Sequence, residues 1–128
     1  MNKELIEKVS AIRQDLLALQ ALAQVGDAKK LAELVKQKVT VVEDRDNSPM
    51  WRNYQELWPY MTGVQKDNVA SIFAFGYQAD SCLKGGKMNP IGSVTMNVPR
   101  LLADLDDLAE NLNKGNSGTA KIGSGSGS

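Results

Sequence analysis

Apolar residues recur at Leu5, Val9, Ile12, Leu16, Leu19 and Ala23 in alternating steps of four and three, with Leu17 and Leu22 on an adjoining stripe. That spacing keeps one face of a helix apolar and predicts a first helix of about six turns. Gly26 followed by Asp27 predicts its break and the N-cap of the next helix. The pattern resumes at Leu31, Val35, Val39 and Val42, predicting a second, antiparallel helix to about position 42. Val39-Thr40-Val41-Val42 is β-branched throughout, however, which lowers helix propensity and equally suits a short extended segment.

Glu43-Asp44-Arg45-Asp46-Asn47 is polar and reads as a loop, after which Ser48-Pro49 offers an N-cap with proline at the first helical position. The helix it opens carries Met50, Trp51, Tyr54, Leu57 and Trp58 and should stop near Trp58, because Pro59 disfavours helical backbone in the residue before it. Beyond the turn signal Thr62-Gly63, a central helix is predicted from Val64 to Leu83, with Val69, Ile72, Phe73, Gly76, Tyr77, Ala79 and Leu83 at helical spacing. Lys84-Gly85-Gly86 closes it with a cation and a C-cap glycine. Phe75 and Cys82 lie off this stripe and predict apolar contact on a second side.

Lys87 to Val98, with Pro90, Gly92 and Met96, has no clear period and reads as a loop with room for one helical turn. A last helix follows, with Pro99 in its first turn, a stripe of Leu101, Leu105, Leu108 and Leu112, and Lys114-Gly115 as its stop. Residues 116–128 end in a Gly-Ser repeat with too little apolar surface to offset ordering entropy, so a flexible tail is expected. The strict repeat resembles an expression linker more than a natural terminus. The fold expected is therefore all-α: residues 1–115 as a bundle of four main helices plus a short aromatic helix.

The 128 residues suffice for one domain, and the 42% hydrophobic and 23% charged content is that of a globular chain. No apolar run approaches the roughly 18 to 20 residues of a membrane span. Fifteen cationic and fifteen acidic side chains balance, nine of each in residues 1–64 and six of each in residues 65–128, so no global field draws the chain to nucleic acid or anionic lipid. Met-Asn-Lys-Glu passes directly into an amphipathic pattern without a secretory h-region, which points to the cytoplasm. A single cysteine, Cys82, forms no internal disulfide and agrees with a reducing compartment.

The chain contains no histidine, which removes Ser-His-Asp and Cys-His mechanisms and the commonest zinc ligand. Cys82 beside Lys84 and Lys87 has some features of an activated thiol, but a lone cysteine next to Ala79 and Leu83 is more simply a small core residue. Asp104, Asp106, Asp107 and Glu110 form the densest acidic group, and Asp106 and Glu110 share a helical face; acid early in a helix is more simply explained by the macrodipole. Gly85-Gly86-Lys87 lacks the Walker spacing. No catalytic residue, cofactor or metal is expected.

Two clusters carry the candidate binding chemistry. Lys29, Lys30, Lys36 and Lys38 give the second helix a basic bias, interrupted by Glu33 and without aromatics for base stacking; a solvated or ion-paired face explains them better than nucleic acid. Trp51, Tyr54, Trp58 and Tyr60 place four of the seven aromatic residues within ten positions, beside Arg52, in the mixture that interfaces favour. Aromatics at helical spacing more often fill a core, so the expectation leans to burial with room for one exposed edge. The leading expectation is a non-catalytic protein-interaction module of the adaptor, inhibitor, immunity or assembly-subunit type, with homo-oligomerisation open. The alternatives are a helical subunit of a ribonucleoprotein or DNA complex, and a sponge for a small anion or nucleotide at an oligomer interface.

Overall fold

A computed structural model describes residues 2–41 and 43–114, and these form six α-helices with no strand among them. Helix α1 spans Asn2–Val25, α2 Ala28–Leu34, α3 Pro49–Leu57, α4 Gly63–Val69, α5 Ser71–Leu83 and α6 Ile91–Asn113. The expectations for the tail, for Gly115 as a helix stop and for Val42 lie outside the described residues.

α1 and α6 pair antiparallel, with the Asn2 side-chain amide donating to the Leu112 carbonyl at one end and Arg13 3.3 Å from Asp106 further along. Val9, Ile12, Leu16 and Leu19 on α1 and Val94, Val98, Leu101, Leu105, Leu108 and Leu112 on α6 are buried in one continuous core. Burying each of these large aliphatic side chains contributes about 1.5–3 kcal/mol, so the two stripes supply much of the driving force for folding. α2 and α5 pack beside each other and add Leu31, Ile72, Phe75 and Ala79, with Val35 just after α2, while α3 closes the remaining side with Met50, Tyr54 and Leu57.

The helix stops follow from local chemistry. Gly26 (φ 75°) and Gly85 (φ 81°) take the left-handed conformation that ends α1 and α5. At each, paired bonds close the last turn: Asp27 N–H to Leu22 O with Gly26 N–H to Ala23 O, and Gly86 N–H to Ser81 O with Gly85 N–H to Cys82 O. The Asp27 carboxylate caps α2 by accepting from Lys30 N–H at 3.0 Å. Thr62 and Gln65 form a reciprocal capping box at the start of α4.

Four expectations from the sequence need correction. The second helix does not stay α-helical to its end: it widens into a π-helical turn over Val35–Val39, closed by Thr40 N–H to Val35 O, and Thr40 is extended (φ −151°, ψ 146°). The β-branched run resolves into helix and strand-like backbone within two residues.

The predicted central helix breaks at Ala70, where the N–H of Ala70 reaches back only to Asp67 O and the Ser71 hydroxyl takes the Asn68 carbonyl. The break leaves the helical phase intact, because Gln65, Val69, Ile72, Gly76 and Ala79 are buried at steps of four, three, four and three. Of the predicted stripe Val69, Ile72, Gly76 and Ala79 are buried, with Phe75 buried beside them, whereas Phe73 is half-buried and Tyr77 is 61% exposed.

The last helix starts eight residues earlier than Pro99, at Ile91, so Lys87–Val98 is mostly helix rather than loop. Asn89 opens it by accepting from Ile91 N–H at 3.0 Å, and Pro99 sits in its interior on the exposed side, where its missing N–H forfeits only the bond to the Thr95 carbonyl. Ser48 is the N-terminal boundary of α3 but makes no side-chain cap; its hydroxyl is used elsewhere, as described below.

Candidate aromatic docking site

Met50, Tyr54 and Leu57 recur at steps of four and three and bury one face of α3 in the core, with Tyr54 only 1% exposed. Trp51 and Trp58, seven residues apart, share the adjoining face and are half-buried. Pro59 ends the α-helix by tightening Trp58–Tyr60 into a 3₁₀ turn closed by Met61 N–H to Trp58 O, which holds Trp58 beside Trp51 and packs Tyr60 partly against the core. Arg52 is exposed.

The start of α3 is fixed by Ser48, which is fully buried. Its Oγ accepts from Val41 N–H at 2.7 Å and lies 3.1 Å from Thr40 Oγ1, tying the extended residues after the π turn to the head of the aromatic helix. The Ser48 hydroxyl is turned to this tether and makes no cap bond to α3.

Three rings form the site. The Trp51 ring meets Trp58 at a centroid distance of 5.3 Å and an interplanar angle of 81°, and meets Phe73 of α5 at 5.3 Å and 69°. Both are edge-to-face contacts, the arrangement the ring quadrupoles favour. The Arg45 guanidinium lies 3.9 Å from the Phe73 centroid and Lys66 Nζ lies 5.6 Å from the Trp58 centroid, both within cation–π range. Trp51, Gln55 and Trp58 line a shallow depression of about 350 Å³ at the surface. Sequence reasoning did not connect Phe73, Arg45 or Lys66 with the tryptophans. Arg45 sits in a 3₁₀ turn and Lys66 on another helix, while Phe73, expected on the core stripe, is half-buried at its edge.

The Tyr54 hydroxyl is buried without a hydrogen-bond partner among the described residues. Burial, reinforced by the negative charge of Asp104, pushes its ionisation far above the ordinary phenol range, so it stays neutral and anchors α3 as a core residue. Of the candidate aromatics, then, Tyr54 belongs to the interior and Trp51, Trp58 and Tyr60 to its edge.

The basic residues of α2 and the π turn are engaged separately. Lys29 and Lys30 are exposed at the start of α2. Lys36 lies 3.0 Å from Asp80 of α5 and 3.7 Å from Glu43, and Lys38 is exposed with its charge acting on Asp15 of α1. Arg13 pairs with Asp106.

Of the acidic residues of α6, Asp104, Asp107 and Glu110 line one shallow depression with Thr62 and Gln65, while Asp106 is turned to Arg13. Asp104 accepts from the Asn68 amide at 2.8 Å, and Glu110 lies 3.9 Å from Lys114. Among the described residues no three His, Cys, Asp or Glu side chains are placed to hold a metal ion, and no helix is long and apolar enough to cross a membrane. Cys82 is half-buried, its Sγ 3.9 Å from the Ala28 carbonyl at the contact between α5 and α2.

Comparison with known proteins finds no matching family model, no matching curated protein and no matching solved structure.

Proposed function

We propose that this chain is a non-catalytic, cytoplasmic protein-interaction module, an adaptor, inhibitor, immunity protein or assembly subunit, that seats its partner against Trp51 and Trp58. One observation carries the reading: a short helix and the 3₁₀ turn that ends it commit Tyr54 to the core while holding two tryptophans at the surface beside an open depression. Large aromatics already fixed by their neighbours lose little conformational freedom on binding, which is why interfaces concentrate their energy on such residues. The absence of histidine from the sequence supports the non-catalytic part of the reading.

The test is Trp58→Ala, compared with wild type for folding by circular dichroism and for affinity towards the partner isolated from the source cells. The variant should stay helical and bind more weakly by about 2 kcal/mol or more. A folded variant with unchanged affinity would remove the tryptophans from the interface.

A further inference from the structure

We infer that the segment seated on Trp51 and Trp58 is an acidic peptide, one large apolar side chain flanked by carboxylates; this rests on the docking reading above. The depression is lined by two indoles and Gln55. Two cations stand over its rings, Arg45 over Phe73, which meets Trp51, and Lys66 over Trp58, whereas Arg52 lines a separate depression with Lys8 and Glu56.

Among the described residues neither Arg45 nor Lys66 forms an ion pair. The nearby carboxylates are drawn elsewhere: Glu43 to Lys36 at 3.7 Å, Glu56 to Lys8 at 3.2 Å, and Asp44 to the side-chain amide of Asn47. Asp46 and Asp67 adjoin Arg45 and Lys66 in sequence without pairing with them. The rim therefore holds cations placed over ring faces with no carboxylate of this chain upon them.

An incoming carboxylate meets a guanidinium whose position is already set by its ring, so part of the ordering cost is met before binding. Stacked bases fit less well. A base needs an open ring face, and one face of Phe73 and one of Trp58 are covered by Arg45 and Lys66. The balanced net charge also offers no wider field for a phosphate backbone.

The experiment pans a phage-displayed random peptide library against the full chain, with Trp58→Ala as a parallel target. Peptides enriched on wild type alone should carry one large apolar residue with Asp or Glu close on both sides. Synthetic copies should bind Arg45→Gln and Lys66→Gln about tenfold more weakly, as expected when a charge-assisted hydrogen bond is lost. Both substitutions replace a rim side chain without removing an indole, so their effect is readable even if Trp58→Ala unfolds.

Enriched peptides that depend on Trp58 but are neutral or basic overturn this inference and leave the docking reading intact. Enrichment that ignores the tryptophans, or none at all, overturns both. Salt-sensitive quenching of tryptophan fluorescence by an oligothymidylate, without acidic peptides in the selection, overturns it in favour of nucleic acid.

Discussion

The α1–α6 pair and the stretch from Val35 to Met61 are built by opposite means. The pair is two long helices whose buried residues recur in regular steps, and its polar links are an ion pair and a terminal amide bond. The stretch from Val35 changes backbone type repeatedly, through a π turn, an extended step, a 3₁₀ turn, a short α-helix and a second 3₁₀ turn. Its joints are held by particular side chains: Ser48 on Thr40 and Val41, and Pro59 after Trp58. Regular apolar stripes supply stability that no single polar group decides, whereas the irregular stretch depends on a few exact contacts and carries the half-exposed tryptophans.

The largest effects should come from the regular half. Leu16 and Leu105 are 0% and 1% exposed, so truncating either to alanine should cost about 2–5 kcal/mol of unfolding free energy, measured by urea denaturation. Losses below about half a kcal/mol at both would mean that the pair is not the stabilising element, and the contrast would collapse.

A smaller but more local effect is expected at Ser48→Ala. Removing the hydroxyl leaves the Val41 N–H and the buried Thr40 hydroxyl without their partner, which costs about 1–3 kcal/mol. Because Ser48 positions the head of α3, tryptophan emission should shift in the native state as well, which Leu16→Ala has no reason to cause. An unchanged emission spectrum would show that the aromatic cluster holds its shape without this joint.

The same contrast explains what could be read from the sequence. The stripes of α1 and of α6 beyond Pro99, the glycine stops at Gly26 and Gly85 and the Asp27 cap were legible, because each is a local rule acting on neighbouring residues. The start of α6 was hidden because Pro99 reads as a helix opening, although Val94 and Val98 continue its stripe upstream.

Trp51 and Trp58 were legible as candidates, and Tyr54 among them was not separable from spacing alone. Their ring partner Phe73 and cations Arg45 and Lys66 come from three other segments. Contacts between distant segments depend on how the irregular stretch turns, which no local period records.

The smallest effect tests whether the irregular stretch is tied to α5 by charge. Asp80 lies 3.0 Å from Lys36 at the π turn and 3.0 Å from Lys84. The hydrogen bond from Lys36, seconded by that from Lys84, holds the Asp80 carboxyl below its usual range, and the same bond from Asp80 raises Lys36 above its own. Asp80 thus contributes stability that is complete above the ordinary carboxylate value of about 3.9 and is lost as pH falls through its lowered native value. Lys36 contributes stability that is complete below about 10.4 and is lost as pH rises through its raised native value.

Asp15 acts in the opposite sense on the acid side. Burial raises its carboxyl, with Lys38 opposing, so ionising it disfavours the fold and protonating it at low pH partly offsets the loss at Asp80. Urea midpoints measured against pH should therefore be flat near neutrality. The acid limb should become shallower in Asp80→Asn and steeper in Asp15→Asn, and added salt should shrink the Asp80 difference, because this pair is reached by solvent. An acid limb that Asp80→Asn leaves unchanged would mean that the π turn is held to α5 by the packing of Val35 and Val39 alone.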